Sequence, residues 1–167
     1  MLLGGKLGPI NWQLPASKRF EAEEFAAFLS LLPARLDGRA LRHAVELRHA
    51  SFRSPAPIRL LRQHGIAAVT AGDSAFPQIT GQTGDFAYLR LMGTTARHSA
   101  GYPPEALALW SRRITALARG EPAGLSDVNP MAGIGPRDVF VHVIAGEKER
   151  NPMAAKALAE RLAQDGP

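Results

Sequence analysis

The chain of 167 residues contains no cysteine. This absence excludes disulfides, thiolate nucleophiles and cysteine-ligated metals. No apolar run approaches the roughly 18 residues that a transmembrane helix needs, so we expect no membrane contact. The first residues, MLLGGK, are too few and too weakly apolar for a signal peptide. These absences favour a cytoplasmic protein.

Lysine is scarce, since four lysines stand beside sixteen arginines, and the net charge is +5. Basic chains often bind nucleic acid or phosphorylated ligands. The arginines are scattered, however, with Arg112-Arg113 as the only adjacent pair, and no basic run is interleaved with aromatic residues. This pattern argues against a nucleic-acid interface, which we keep only as a third functional hypothesis.

Apolar segments of two kinds alternate along the chain, one kind typical of strands and the other typical of helices. Short apolar runs bounded by Gly, Pro or Asp predict strands, whereas stripes with i, i+3, i+4, i+7 spacing predict helices. Regular alternation of the two indicates parallel strands joined by right-handed crossovers, and hence a single α/β domain. The predicted strands are residues 9–14, 42–49, 66–71, 86–93 and 138–144, and the predicted helices are 20–32, 57–64, 104–119 and 151–164.

The predicted strand 42–49, RHAVELRH, carries charges on one face. Because side chains alternate across a strand, Ala44, Glu46 and Arg48 point to one side of it. A carboxylate and a guanidinium therefore share a face. If that face lines a barrel or a ligand crevice, it is the centre of a candidate site.

Several segments resemble the motifs of the domain of unknown function 72 (DUF72) family, the YecE-like proteins. Residues 7–15 (LGPINWQLP) resemble its "LGPxLFQLPP", and residues 42–52 (RHAVELRHASF) resemble its "RxAVEFRHxSW". Residues 73–74 (DS) and 85–93 (DFAYLRLMG) match its "DS…DFxYVRLHG", and residues 107–110 (LALW) resemble its "ELxxW". The resemblance extends over nearly the whole chain.

The resemblance implies a partial TIM barrel whose five strands correspond to strands four to eight. The whole of residues 1–167 is then one domain, the C-terminal part of such a barrel, without the first three strand–helix units. The chain departs from the family motifs in two places. Met92 stands where the family has histidine after "RL", and residues 142–146 (HVIAG) replace a strand end that often reads "YFNND".

In a TIM barrel the active site lies at the C-terminal ends of the strands. We therefore expect polar residues from five strand ends to meet there. Glu46 and Asp73 are the candidate catalytic residues, as general acid, general base or orienting groups. The candidate substrate-binding residues, which suit an anionic group, are Gln13, Arg48, Arg90 and Lys148.

Other interpretations of these residues stay open. Glu46, Arg48 and Arg90 also fit an internal ion-pair network that ties strands together. Lys148 precedes a predicted helix start at Asn151-Pro152 that suits an anion, or simply an ordinary capped helix. Asp73 fits a turn cap as well as a catalytic group. Together with Glu46 and His49 it also suggests a divalent metal, but no ligand spacing such as HxxxH supports one, so we predict no metal.

Two main functional hypotheses follow, and no motif identifies a cofactor. The first is an enzyme of hydrolase or isomerase type that acts on a small anionic or phosphorylated substrate, although fold analogy is weak evidence for activity. The second is a non-catalytic partial barrel, or truncated gene product, whose uncovered sheet edges pair with a second copy or another partner. Whether the chain is an enzyme is left undecided by its sequence.

Overall fold

The computed structural model describes residues 3–125 and 135–165. Within them the strands are β1 (Ile10–Gln13), β2 (Arg35–Leu36), β3 (Arg39–Ala40), β4 (His43–Glu46), β5 (Ala67–Gly72), β6 (Phe86–Leu91) and β7 (Asp138–Val143). The helices are α1 (Ala22–Ser30), α2 (Pro55–Gln63), α3 (Pro104–Arg119) and α4 (Asn151–Asp165). Short 3-10 turns occupy Gly4–Lys6, Ala50–Phe52 and Lys148–Arg150.

Five of the strands form one parallel sheet in the order β1-β4-β5-β6-β7. Helices connect neighbouring strands and cover one face, as parallel strands require. The sheet is a half-barrel, so the predicted α/β fold, a partial TIM-like barrel of five parallel strands, is confirmed. β5 is buried along its whole length, which explains why its sequence is continuously apolar rather than alternating.

Most predicted elements differ from the observed ones by one to three residues at an end; α2, for example, begins at Pro55 rather than at residue 57, and β6 ends at Leu91 rather than at residue 93. α1 ends at Ser30, two residues before its predicted end, ahead of Pro33. β4 ends at Glu46 rather than at residue 49, because the chain turns there toward the 3-10 turn Ala50–Phe52. Arg48 therefore lies just beyond the strand.

The sequence analysis missed a small antiparallel hairpin formed by β2 and β3. Its two-residue turn is Asp37-Gly38, and both residues have positive φ, at 49° and 77°. Positive φ at both central positions is the type I′ turn that an Asp-Gly pair favours. Two-residue strands are too short to show a period, so the turn dipeptide was their sole signal.

Two cores lie between the sheet and its helices. The first packs α1 and α2 against β4 and β5, with Phe25, Val45 and Leu61 at its centre. The second packs α3 and α4 against β6 and β7, around Leu89 and Trp110. Together they hold the helical layer on one face and leave the opposite face as the inner wall of the half-barrel.

The inner wall is apolar in its lower part and polar toward the C-terminal ends of the strands. Its apolar part is a cluster of small and aromatic side chains from four strands: Ala44, Ala67, Val69, Phe86, Tyr88 and Phe140. The polar residues Glu46 and Arg90 follow on the same strands, two residues further along from Ala44 and Tyr88. The charged side chains of the inner wall therefore lie at one end of the sheet, where the strands have their C-terminal ends.

The outer edges of β1 and β7 pair with no other strand within residues 3–125 and 135–165. Over the same ranges, no helix combines the length and apolar character that crossing a membrane demands.

Gly72, the last residue of β5, gives a test of the packing between sheet and helix. A Cβ atom there would lie 2.5 Å from the Trp110 ring and 2.9 Å from Leu91 Cδ2. We expect Gly72→Ala to lower the free energy of unfolding by about 1–3 kcal/mol through overpacking, measured by urea denaturation. Gly8→Ala is the control, because a Cβ at Gly8 meets nothing within 4 Å. Equal stability of the two variants would contradict this account.

Candidate functional site

Four of the six predicted site residues meet at the C-terminal end of the sheet. Arg48 donates from Nε to Glu46 Oε1 over 2.6 Å and from Nη2 to Gln13 Oε1 over 2.6 Å. Arg90 donates from Nη1 to Gln13 Oε1 over 2.9 Å and also to Glu46 Oε2. We call this group the mouth cluster: Gln13, Glu46, Arg48 and Arg90.

Glu46 is the anchor of the mouth cluster. Its side chain is 0% exposed, whereas those of Arg48 and Arg90 are 18% and 19% exposed. A buried carboxylate is tolerated only when it is paired and hydrogen-bonded, and here each oxygen accepts from a different guanidinium. The buried partner thus fixes both arginines while they keep access to solvent.

The cluster joins strands that are not neighbours. β5 lies between β4, which carries Glu46, and β6, which carries Arg90. Ala71 of β5 pairs with Arg90 in the register of the two strands. Its single methyl group leaves the space through which Arg90 reaches Glu46. Gln13 pairs directly with Glu46, which brings β1 into the same group.

Both guanidiniums keep unused donors. Arg48 Nη1 and Arg90 Nε and Nη2 make no hydrogen bond to any described residue. Phe76, from the loop after β5, covers the Arg48 guanidinium with its ring centroid 4.2 Å from Cζ. This cation–π contact restrains Arg48 further. No sequence pattern indicated that Phe76 belongs to the site, because its position depends on the loop conformation.

His142 of β7 lies next to the mouth cluster, although it was not among the predicted site residues. It pairs with Arg90 in the sheet and stacks on Tyr88, with ring centroids 4.8 Å apart. Burial lowers the pKa of His142 and the Arg90 charge lowers it further. Burial likewise raises the pKa of Tyr88. His142 follows Phe140 by two residues along β7, so the two side chains share the inner wall. This period of two is the sequence signal that could have placed His142 there.

Asp73 lies apart from the mouth cluster in its contacts. Its Oδ2 accepts from Trp110 Nε1 over 2.6 Å, and Tyr102 hydroxyl hydrogen-bonds to the same carboxylate. Tyr102 in turn accepts from Gly93 N over 2.8 Å. Burial raises the pKa of Tyr102, which keeps its hydroxyl protonated as a donor. Asp73 therefore ties the ends of β5 and β6 to α3.

The side chain of Lys148 makes no hydrogen bond or ion pair within residues 3–125 and 135–165, and so none with the mouth cluster. It lies in the 3-10 turn that leads into α4, where the N–H groups of Arg150 and Asn151 bond to Glu147 and Lys148 carbonyls. These N–H groups are thus engaged rather than free for an anion.

The expected cap of α4 by Asn151 is wrong. Asn151 Oδ1 accepts from Thr94 Oγ1 over 2.6 Å, and its Nδ2 donates to Ala145 O over 3.0 Å. The side chain therefore joins the loops after β6 and β7 instead of capping the helix, because those loops are folded against each other.

The histidines near the opening strand are also engaged. His49 Nδ1 accepts from Ser51 N over 3.1 Å. His43 Nδ1 accepts from Trp12 Nε1 over 3.1 Å, and its Nε2 donates to Pro33 O over 2.9 Å. In the described part of the chain no three His, Asp or Glu side chains group together in a way that would hold a metal ion.

Comparison with known proteins identifies the family. The model of the family described as "Protein of unknown function DUF72" matches residues 1–167. The chain belongs to the DUF72 family. No curated protein matches it.

Two solved DUF72 structures share its fold. A family protein from Thermotoga maritima is 20% identical, with a TM-score of 0.65 over 96% of this chain and 59% of that one. A family protein from Enterococcus faecalis is 14% identical, with a TM-score of 0.69 over 97% of this chain and 63% of that one. The chain thus spans about three fifths of the length of these DUF72 proteins.

Both departures from the DUF72 motifs lie near the mouth cluster. Met92, in place of the family's histidine, follows Arg90 by two residues and is buried. His142 begins the altered strand end and pairs with Arg90.

The environment of His142 predicts a pH effect. We expect its pKa, followed by NMR of the imidazole, to lie below 6.5 and to rise in Arg90→Gln, which removes the neighbouring charge. The unfolded chain then binds more protons than the folded one just below pH 6.5, so stability falls as the pH drops through that value.

His142→Gln should flatten this part of the pH–stability curve. His64→Gln serves as the control, since His64 lies at the end of α2, outside the mouth cluster. A His142 pKa at or above 6.5 would contradict the prediction.

Proposed function

We propose that the mouth cluster binds a small anionic ligand through the guanidiniums of Arg48 and Arg90. The observation that carries the proposal is the complete burial of Glu46 between two partly exposed arginines. A carboxylate in that position holds both guanidiniums side by side before any ligand arrives. Such preorganisation reduces the entropy lost on binding.

The charge balance of the cluster favours an anion. Two guanidiniums and one carboxylate leave a charge of +1 on the inner wall, because Gln13 is neutral. The unused donors Arg48 Nη1 and Arg90 Nε and Nη2 suit the paired oxygens of a phosphate or carboxylate group. Because the Arg48 and Arg90 side chains are largely buried, such contacts are stronger than on an open surface.

The same geometry supports an enzyme of hydrolase or isomerase type more weakly. Glu46 is the orienting residue rather than a free base, because both of its oxygens accept from arginine. His142, beside Arg90 and without a hydrogen bond in the described structure, is the better placed proton carrier. Catalytic or binding roles for Asp73 and Lys148 stay predictions.

The test is binding of inorganic phosphate measured by calorimetry. Arg90→Gln should weaken phosphate binding about tenfold or more, since hydrogen bonds to charged groups contribute about 1.5–3 kcal/mol. Arg59→Gln is the matched control, because Arg59 is exposed on α2 and lies outside the cluster. Phosphate bound equally well by Arg90→Gln and the wild type would refute the proposal.

Stability measurements separate binding from a purely structural network. Removing one partner of a buried ion pair costs about 3–5 kcal/mol, so circular dichroism and urea unfolding must show that Arg90→Gln is folded. If it loses stability while keeping wild-type phosphate affinity, the arginines form only a structural ion pair.

A second candidate function is assembly through the sheet edges, with a second copy of the chain as partner. It is favoured by the unpaired outer edges of β1 and β7 within the described residues and by the partly buried Phe140 on the inner wall. Unpaired strand edges and apolar wall residues both lose contact with water when another sheet joins them.

Sedimentation equilibrium tests the assembly. We expect a dimer that dissociates on dilution, because strand pairing between copies depends on concentration. A monomer at every concentration from about 1 to 100 μM, a range that covers ordinary dimer affinities, would exclude self-association. The mouth-cluster variants should leave this equilibrium unchanged, which separates the second candidate from the first.

A further inference from the structure

A cleft lies between α3 and α4, on the outer side of the sheet and away from the mouth cluster. It has a volume of about 390 Å³ and is lined by Arg112, Thr115, Arg119 and Glu121 from the α3 side and Arg161 from α4. The three residues Arg112, Thr115 and Arg119 recur at helical spacing, so they share one face of α3. Arg161 faces them from the neighbouring helix.

None of these three arginines is neutralised by a described residue. The side chains of Arg112, Arg119 and Arg161 make no hydrogen bond, ion pair or ring contact within residues 3–125 and 135–165. This differs from the mouth cluster, where both arginines are paired with Glu46. The nearby Lys156 and Glu160 on α4 pair with each other instead.

The uncompensated charge indicates an anionic ligand. Three guanidiniums around one cleft repel one another, and Glu121 is the single carboxylate in the lining. The lining therefore carries a net charge of +2. A bound anion with two or more negative charges removes this repulsion and supplies acceptors to the guanidiniums.

The other residues that line the cleft restrict the chemical class of ligand that it can bind. It contains two alanines and a threonine but no aromatic side chain, so the cleft offers no surface on which a nucleobase would stack. Its volume is within the range of small-molecule sites. We propose that the α3–α4 cleft binds a small polyphosphate through Arg112, Arg119 and Arg161, independently of the mouth cluster.

Arg112 and Arg161 are the residues to test. Arg119 lies in the last turn of α3, where the helix dipole stabilises a cation without any ligand. Arg112 lies seven residues, about two turns, further from that end, and Arg161 is half-buried. Substitution of either by glutamine keeps a hydrogen-bonding side chain and removes only the charge.

The experiment is a calorimetric titration of the full chain with inorganic pyrophosphate and, separately, with triphosphate. Arg112→Gln and Arg161→Gln should each weaken binding about tenfold. Glu121→Gln should strengthen it, because it removes the one repulsive charge in the cleft. Arg59→Gln, on an exposed face of α2, should bind pyrophosphate as the wild type does. Arg90→Gln, in the mouth cluster, should keep the part of the binding that Arg112→Gln and Arg161→Gln weaken, which separates the cleft from the mouth cluster.

Three results would overturn the proposal. The first is no pyrophosphate binding by the wild type, and the second is wild-type affinity in both Arg112→Gln and Arg161→Gln. The third is binding of a single-stranded oligonucleotide, lost in those variants, by a chain that does not bind pyrophosphate. That result would assign the cleft to a nucleic-acid backbone. Circular dichroism confirms that each variant is folded.

Discussion

The burial of one carboxylate constrains the whole inner wall. Glu46 is completely enclosed, and a charge in that position is stable only if its partners are held in place. Arg48 comes from the end of the same strand, Arg90 from two strands away, and Gln13 from the neighbouring strand. Three strands must therefore keep their register, and β5 must present a residue as small as Ala71 between them. The ion pairs of Glu46 thus depend on the register of the sheet, and they in turn stabilise that register.

The contact that stabilises the wall also creates the binding site. A carboxylate that accepts from two guanidiniums leaves their remaining N–H groups in fixed positions and leaves the cluster with a positive charge. Structural and functional interpretations of Glu46 are therefore compatible. The surrounding loops are held separately, since Asp73 joins β5 to Trp110 of α3 and Thr94 joins the loops after β6 and β7. These contacts hold the loops around the mouth cluster without using the hydrogen-bond donors of Arg48 and Arg90.

The distribution of arginine partners distinguishes two regions of the molecule. On the inner wall a buried carboxylate pairs with both arginines, so a ligand there meets an organised site with a charge of only +1. In the α3–α4 cleft the described residues leave three guanidiniums without partners, so electrostatic attraction dominates. A site of the first kind discriminates by geometry, whereas one of the second kind responds mainly to ligand charge and to salt.

The sequence by itself determined the parallel α/β order, because strand and helix periods are local. Its resemblance to the DUF72 motifs implied the half-barrel, and the meeting of Gln13, Glu46, Arg48 and Arg90 followed because the C-terminal ends of barrel strands share one edge. The sequence predicted nothing of the β2–β3 hairpin, whose strands are too short for a period. Tertiary structure alone decided that Asp73 binds Trp110 and Tyr102, that Asn151 binds Thr94 and that His142 stands beside Arg90. Those contacts join residues distant in sequence, and loop packing, rather than the chemistry of each side chain, selects the partner.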